Sequence, residues 1–130
     1  MRAAAAAIVV LLFALSGCGT ASSERDARRS VQRFFAAVRS HKGAAACKEL
    51  ADETASEVEK SEKKPCEQGI LSEDVSPAPV ADVQVYMHSA QARLKGGGAV
   101  FLDQTPQGWK VSAAGCKPQS GKPYECELES

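Results

Sequence analysis

Ser76-Pro77-Ala78-Pro79 divides this chain into two halves with different hydrophobic periods. Two prolines in so short a stretch remove backbone donors and hold the chain out of the helical region, so no helix crosses this point. Before it, apolar residues recur at helical spacing; after it they alternate with polar ones. A helical block followed by a run of strands gives an α+β order, in which a sheet must bury one face against the helices. The fold class read from the sequence is α+β: N-terminal helices packed on a curved antiparallel sheet of four to five strands.

In the first half, Ser23-Glu24-Arg25-Asp26 has the form of a capping box, with Asp in place of the usual Glu or Gln, and predicts a helix starting near Glu24. Ala27, Val31, Phe34, Phe35 and Val38 then form one apolar stripe. His41-Lys42-Gly43 supplies a cationic last turn and a glycine stop. Ala44 to Lys64 reads as a second helical stretch broken near Asp52, and Cys66 to Leu71 as a further short turn.

In the second half, Ala81, Val83, Val85 and Met87 hold one parity, and Ala90, Ala92 and Leu94 hold the other. A change of parity requires a turn or a bulge, which predicts a tight hairpin at Met87-His88-Ser89. Gly96-Gly97-Gly98 marks the next turn, and Thr105-Pro106-Gln107-Gly108 another. Trp109, Val111 and Ala113 are expected on one face of the following strand. After the loop at Lys117 to Gly121, Tyr124, Cys126 and Leu128 alternate with Glu125, Glu127 and Glu129.

The N-terminus carries a different kind of signal. Arg2 precedes an unbroken apolar run from Ala3 to Leu15, whose 13 residues are too few to span a bilayer and suit the core of an export signal. The run ends in Leu15-Ser16-Gly17-Cys18, which resembles the bacterial lipobox. The resemblance implies that its small residues admit the peptidase and that the Cys18 thiolate takes a diacylglyceryl group. An ordinary secretory signal with a coincidental Cys is the alternative. The expected organisation is a lipoprotein signal peptide over 1–17, a tether over 18–23 and one domain over 24–130. The expected location is the cell membrane, lipid-anchored, on the extracytoplasmic face. Of the 130 residues, 113 then remain, and of their 43 hydrophobic residues 16 are Ala. Large core side chains are scarce, so a domain this small needs staples.

Four cysteines are left once Cys18 is set aside: Cys47, Cys66, Cys116 and Cys126. An even number in a small exported domain reads as two disulfides, with three connectivities open. Cys47–Cys66 and Cys116–Cys126 are favoured, because each pair lies within one structural region and closes a short loop. A metal site is the alternative, but no CxxC or HxxxH spacing supports it, and no cofactor motif is present.

Phe34-Phe35-Ala36-Ala37-Val38, an Ala-rich helix bearing Cys47, and Cys66 make up one half of a pattern. Phe101-Leu102, Gly108-Trp109-Lys110-Val111-Ser112-Ala113-Ala114-Gly115-Cys116 and Pro123-Tyr124-Glu125-Cys126 make up the other. Together they resemble the small NTF2-like (cystatin-like) lipoproteins exported by high-GC Gram-positive bacteria. The resemblance implies a cone of bent sheet and helices carrying those two disulfides. The Met87-His88-Ser89 turn departs from the Gly/Asp-rich hairpin such a fold would use.

Three functional readings follow. In the first, the domain is non-catalytic and binds a small ligand or a protein partner in a pocket lined by Phe34, Phe35, Phe101 and Trp109; the alternative role for these residues is simply to fill the core. In the second, the domain resembles the cyclases and isomerases of the same superfamily, with a base inside the cone. Asp103, in phase with Ala99 and Phe101, is the one acid placed for it, while His41 and His88 fall at exposed ends. In the third, Arg25, Arg28, Arg29, Arg33, Arg39 and Lys42 meet anionic headgroups, or else lie solvated beside the acidic stretch from Glu49 to Asp74. Sixteen Lys+Arg against sixteen Asp+Glu argue against nucleic acid as a partner.

Overall fold

A computed structural model describes residues 18–130; the expected signal segment 1–17, including Leu15-Ser16-Gly17, lies outside the described residues. Helix α1 covers Cys18–Arg39, α2 Gly43–Lys48, α3 Asp52–Glu62 and α4 Cys66–Gly69. Six strands follow: β1 Val80–Tyr86, β2 Ser89–Leu94, β3 Ala99–Thr105, β4 Gly108–Gln119, β5 Lys122–Glu125 and β6 Leu128–Glu129. The sheet is antiparallel in the order β1-β2-β3-β4-β5, and β6 also pairs with β4. The α+β order expected from the proline boundary is present.

Residues 18–23, expected as a tether, belong to α1. Nothing in Cys18-Gly19-Thr20-Ala21-Ser22-Ser23 obliges a helix to stop, and the Ser22 hydroxyl donates back to the Gly19 carbonyl at 2.9 Å. The capping box does not form, because Ser23 lies within α1 rather than ahead of it, and the Asp26 carboxylate faces Arg29 at 3.7 Å instead. At the other end, His41 rather than Gly43 ends α1. His41 is left-handed, with φ 53°, while its N–H donates to Val38 and that of Lys42 to Ala37, at 3.1 and 2.9 Å. This is the paired 5→2 and 6→1 closure of a Schellman motif. Gly43 serves close packing instead, since a Cβ there would lie 1.7 Å from the Glu67 carbonyl oxygen. Only glycine lets α2 approach α4 so closely, and the Cys47–Cys66 disulfide closes the same pair of helices.

One face of the sheet packs on the helices. Ala27, Val31, Phe34 and Phe35 from α1 meet Val83, Ala90, Ala92, Val100, Leu102, Trp109 and Val111. The predicted stripe is thus the buried one. Ser30, fully buried with it, gives its hydroxyl to the Trp109 carbonyl at 2.9 Å.

Bulges set which residues reach this core. On β1 the register shifts between Val80 and Asp82, so Val80 joins the core and Ala81, expected inside, is exposed. On β4, Leu102 pairs Val111 but Phe101 pairs Ala113, leaving Ser112 as an extra residue. Ala114 therefore takes the core seat expected for Ala113, which turns to the opposite face. Met87, expected inside, occupies the predicted tight turn with φ 55° and is 88% exposed. Leu128 enters the main core while Tyr124 and Cys126 do not, so these three alternating residues do not share a face.

The outer edge of β4 is closed by three segments in succession. The Val111 N–H donates to the Glu49 carbonyl at 2.7 Å and its carbonyl accepts from Ala51 at 2.9 Å, a parallel bridge made by the α2–α3 linker. Ala113 and Ala114 pair with β6, and Lys117 and Gln119 with β5.

Candidate functional site

The second face of the sheet carries its own small apolar cluster. Ala99, Ala113 and Cys116 are buried there, with Phe101, Tyr124 and Cys126 packed against them. The cluster exists because the β4 bulges place Ala113 and Cys116 outward, and because the Cys116–Cys126 disulfide draws the chain after β5 back onto the strand. Tyr124 leans across from β5 to β3, its ring centroid 5.3 Å from that of Phe101 with the planes at 75°. That is the edge-to-face geometry aromatic pairs prefer. Its hydroxyl accepts from Gln91 Nε2 on β2 at 3.2 Å, which fixes the ring at its polar end.

Beside this pair runs an open groove of about 420 Å³, lined by Phe101, Ala113, Pro123, Tyr124 and Cys126 and rimmed by Asp103, Ser112 and Glu129. Asp103 accepts from the Ser89 hydroxyl at 2.9 Å. Lys110, its strand partner, turns away and donates Nζ to the Lys48 carbonyl at 2.5 Å. The groove therefore has an aromatic floor and an acidic rim, with no Lys or Arg among its lining residues. Such a surface suits a ligand with an apolar body and a hydrogen-bond donor or cationic end.

The four expected pocket residues do not meet in one cavity among the described residues. Phe34, Phe35 and Trp109 are 0%, 2% and 6% exposed, within the main core. Phe34 and Phe35 touch each other with centroids 5.7 Å apart. Phe101 alone reaches the groove, on the opposite face. Phe35 has one open side, on a separate cleft of about 250 Å³ with Leu94, Ala99 and Cys116. Core filling, the alternative role for these residues, describes three of the four. Tyr124 is hidden from sequence reasoning because its parity with Leu128 reads as one face; its spacing from Cys126 is the available signal.

Asp103 does lie on the Phe101 face as its phase indicated, but it is exposed at the groove's rim. His41 and His88 are both exposed. Among the described residues no group of His, Cys, Asp and Glu could hold a metal ion, and all four expected cysteines are paired as favoured. No helix among the described residues is long and apolar enough to cross a membrane.

A second polar constellation lies between α1 and the α2–α3 linker. Arg33 donates Nε to Glu49 Oε1 at 2.8 Å and Nη2 to Oε2 at 3.0 Å. The Ser30 hydroxyl sits 3.1 Å from Glu49 Oε2 as well as against Trp109. The Glu49 carboxylate raises the Arg33 guanidinium above its ordinary range, chiefly through these bonds. The arrangement is structural: it ties α1 to the start of β4.

Compared with protein-family models, curated proteins and solved structures, the chain matches none of them.

Proposed function

We propose that this chain is an exported lipoprotein of the cell envelope, held to the outer face of the membrane by a lipid on Cys18, and that it acts by binding rather than by catalysis. In this reading the bent sheet and its helices form an NTF2-like cone, and the Phe101–Tyr124 groove takes a small ligand or a segment of a protein partner. The observation that carries the reading is the groove itself, an aromatic floor held in place by the Cys116–Cys126 disulfide. The two disulfides also suit an oxidising compartment, where a domain with few large core residues gains stability from cross-links. A cyclase or isomerase reading would require Asp103 as base. Its exposed place at the rim, paired with Ser89, favours a recognition role instead.

Two measurements test the proposal separately. Peptide mass spectrometry of the natively exported protein should show a diacylglyceryl group on Cys18; an unmodified Cys18 removes the anchor. Aromatic amines screened by NMR against the domain should perturb the signals of Phe101 and Tyr124. A Tyr124→Ser variant should lose that response, and hits that ignore this substitution would move the binding site elsewhere.

A further inference from the structure

The charges of the folded domain are segregated along the chain. Residues 18–48, which make up α1 and α2, carry Arg25, Arg28, Arg29, Arg33, Arg39, Lys42 and Lys48 against Glu24 and Asp26, a balance of +5. Residues 49–130 carry eight Lys and Arg against fourteen Asp and Glu, a balance of −6. The structure then sorts the cations by availability. Arg28 turns inward and donates to the Val80 carbonyl at 2.9 Å, and Arg33 is held by Glu49. Arg25, Arg29, Arg39, Lys42 and Lys48 are exposed, with Arg29 only loosely paired to Asp26 at 3.7 Å and Arg25 Nε donating to the Ala21 carbonyl at 3.3 Å.

Arg25, Arg29 and Arg39 follow the outward side of α1, opposite the stripe of Ala27, Val31 and Phe34 that faces the core. Lys42 and Lys48 continue the patch across a notch of about 340 Å³ between α1 and α2, where Ser40 and the Arg33–Glu49 pair also lie. Most of the compensating acids are elsewhere. Asp52, Glu53, Glu57, Glu59 and Glu62 belong to α3, which packs on α4, β4 and β6, whereas α1 packs on α2, β1, β2 and β4.

We infer that the exposed side of α1 and the adjoining end of α2 form a docking face for an anionic lipid bilayer, and that this face sets the orientation of the domain on the membrane. The face rests on the proposed anchor for one point, that Cys18 heads the same helix. A helix lying along the surface, rather than standing on its anchor, brings Arg25, Arg29 and Arg39 together within a Debye length of the headgroups, about 10 Å at 0.1 M salt, and an anchor at its first residue leaves that pose open. Phosphate-bearing headgroups fit a row of short-range cations spread over several turns better than one compact anion does. The acidic residues of α3 are repelled by the same surface, which disfavours poses that bring them to it.

The test uses residues 18–130 with Cys18→Ser, so that no lipid contributes and the anchor can fail independently. This protein is floated with vesicles of phosphatidylcholine alone or with 30% phosphatidylglycerol. Over these residues its net charge is −1, fifteen cations against sixteen anions, so bulk charge gives it no attraction to the anionic vesicles. The expected result is flotation only with the anionic vesicles, abolished by 0.5 M salt. Arg25→Gln, Arg29→Gln, Arg39→Gln and Lys42→Gln together should remove it, since each basic residue near such a surface changes partitioning by about fivefold. A control neutralising Lys60, Lys63, Lys64 and Lys122, with the same change in net charge, should float normally. Equal behaviour of the two variants, or flotation with neutral vesicles, overturns the inference. Binding to soluble polyglutamate without binding to vesicles also overturns it, in favour of an acidic protein partner. Circular dichroism of each variant establishes that it is folded.

Discussion

Arg33 on the first helix grips Glu49 of the α2–α3 linker with two bonds, at 2.8 and 3.0 Å, while the backbone carbonyl of the same Glu49 accepts from Val111 in β4. One residue thus connects a helix, a linker and the sheet.

Truncating Arg33 should cost more than truncating Glu49. The Glu49 side chain is 13% exposed and that of Arg33 57%, so water solvates a stranded Arg33 far more readily than a stranded Glu49 carboxylate. Arg33→Ala is expected to lower stability by about 1–2 kcal/mol and Glu49→Ala by about 0.5 kcal/mol. Urea unfolding followed by the emission of Trp109, which is buried, would measure both. Equal losses would mean that water reaches the Glu49 carboxylate as readily as the Arg33 guanidinium.

The linker pairing was not legible in the sequence. Glu49-Leu50-Ala51 looks like the junction of two helices, and nothing in its spacing announces a partner on β4. The legible features were those repeated along an element. The Ala27-to-Val38 stripe, the Val83/Val85 and Ala90/Ala92 parities, and the near neighbours among the cysteines all correspond to contacts that the structure makes. Features created by a single inserted residue were hidden. The bulge at Ser112 exchanged the faces of Ala113 and Ala114, and the one at Ala81 sent that residue outward. The groove was half legible: Phe101 and Asp103 have the right phase, but Tyr124 joins them because β5 folds back along β4 and a disulfide closes that return.

Removing the disulfides should give graded losses. Cys47–Cys66 spans 19 positions and Cys116–Cys126 spans 10. The chain-entropy relation assigns them about 3.2 and 2.7 kcal/mol, respectively. Paired Cys→Ala variants compared in urea would show whether that order holds. The second variant carries an added signature, loss of the Phe101–Tyr124 contact, visible as a collapse of ring-proton shifts by NMR.

Gly43→Ala should be among the most damaging single-methyl additions in this fold. The atom in its way is the backbone oxygen of Glu67, which cannot rotate aside. Separation of α2 from α4 is expected to cost about 3 kcal/mol, at the upper end of overpacking penalties. A thermal melt within a degree or two of the parent protein would show that the two helices can part without consequence.

Glu73 supplies a pH signature. Partial burial, reinforced by Glu62 and Glu127 and opposed by the Ser61 hydroxyl, raises its carboxyl above the ordinary glutamate range. A raised acid favours its protonated form in the folded state. Its ionisation therefore destabilises the fold above the folded pKa, and that penalty disappears below the unfolded value of about 4.3. Glu73→Gln should accordingly melt higher than the parent at pH 7 and level with it at pH 3.5. A variant that is less stable at pH 7 would assign the dominant role to the Ser61 bond, which lies at 3.3 Å.

The parallel bridge between Leu50 and Val111 also bears on the order of folding. A chain synthesised from its N-terminus completes helices α1 to α4 and strands β1 to β3 before Gly108 appears. Until then the Ala51 N–H and the Glu49 carbonyl lack their native partners, and Ser30 has no Trp109 carbonyl to bond. The helical half cannot reach its final form alone, and a nascent chain stopped anywhere short of β4 would remain a substrate for chaperones and proteases.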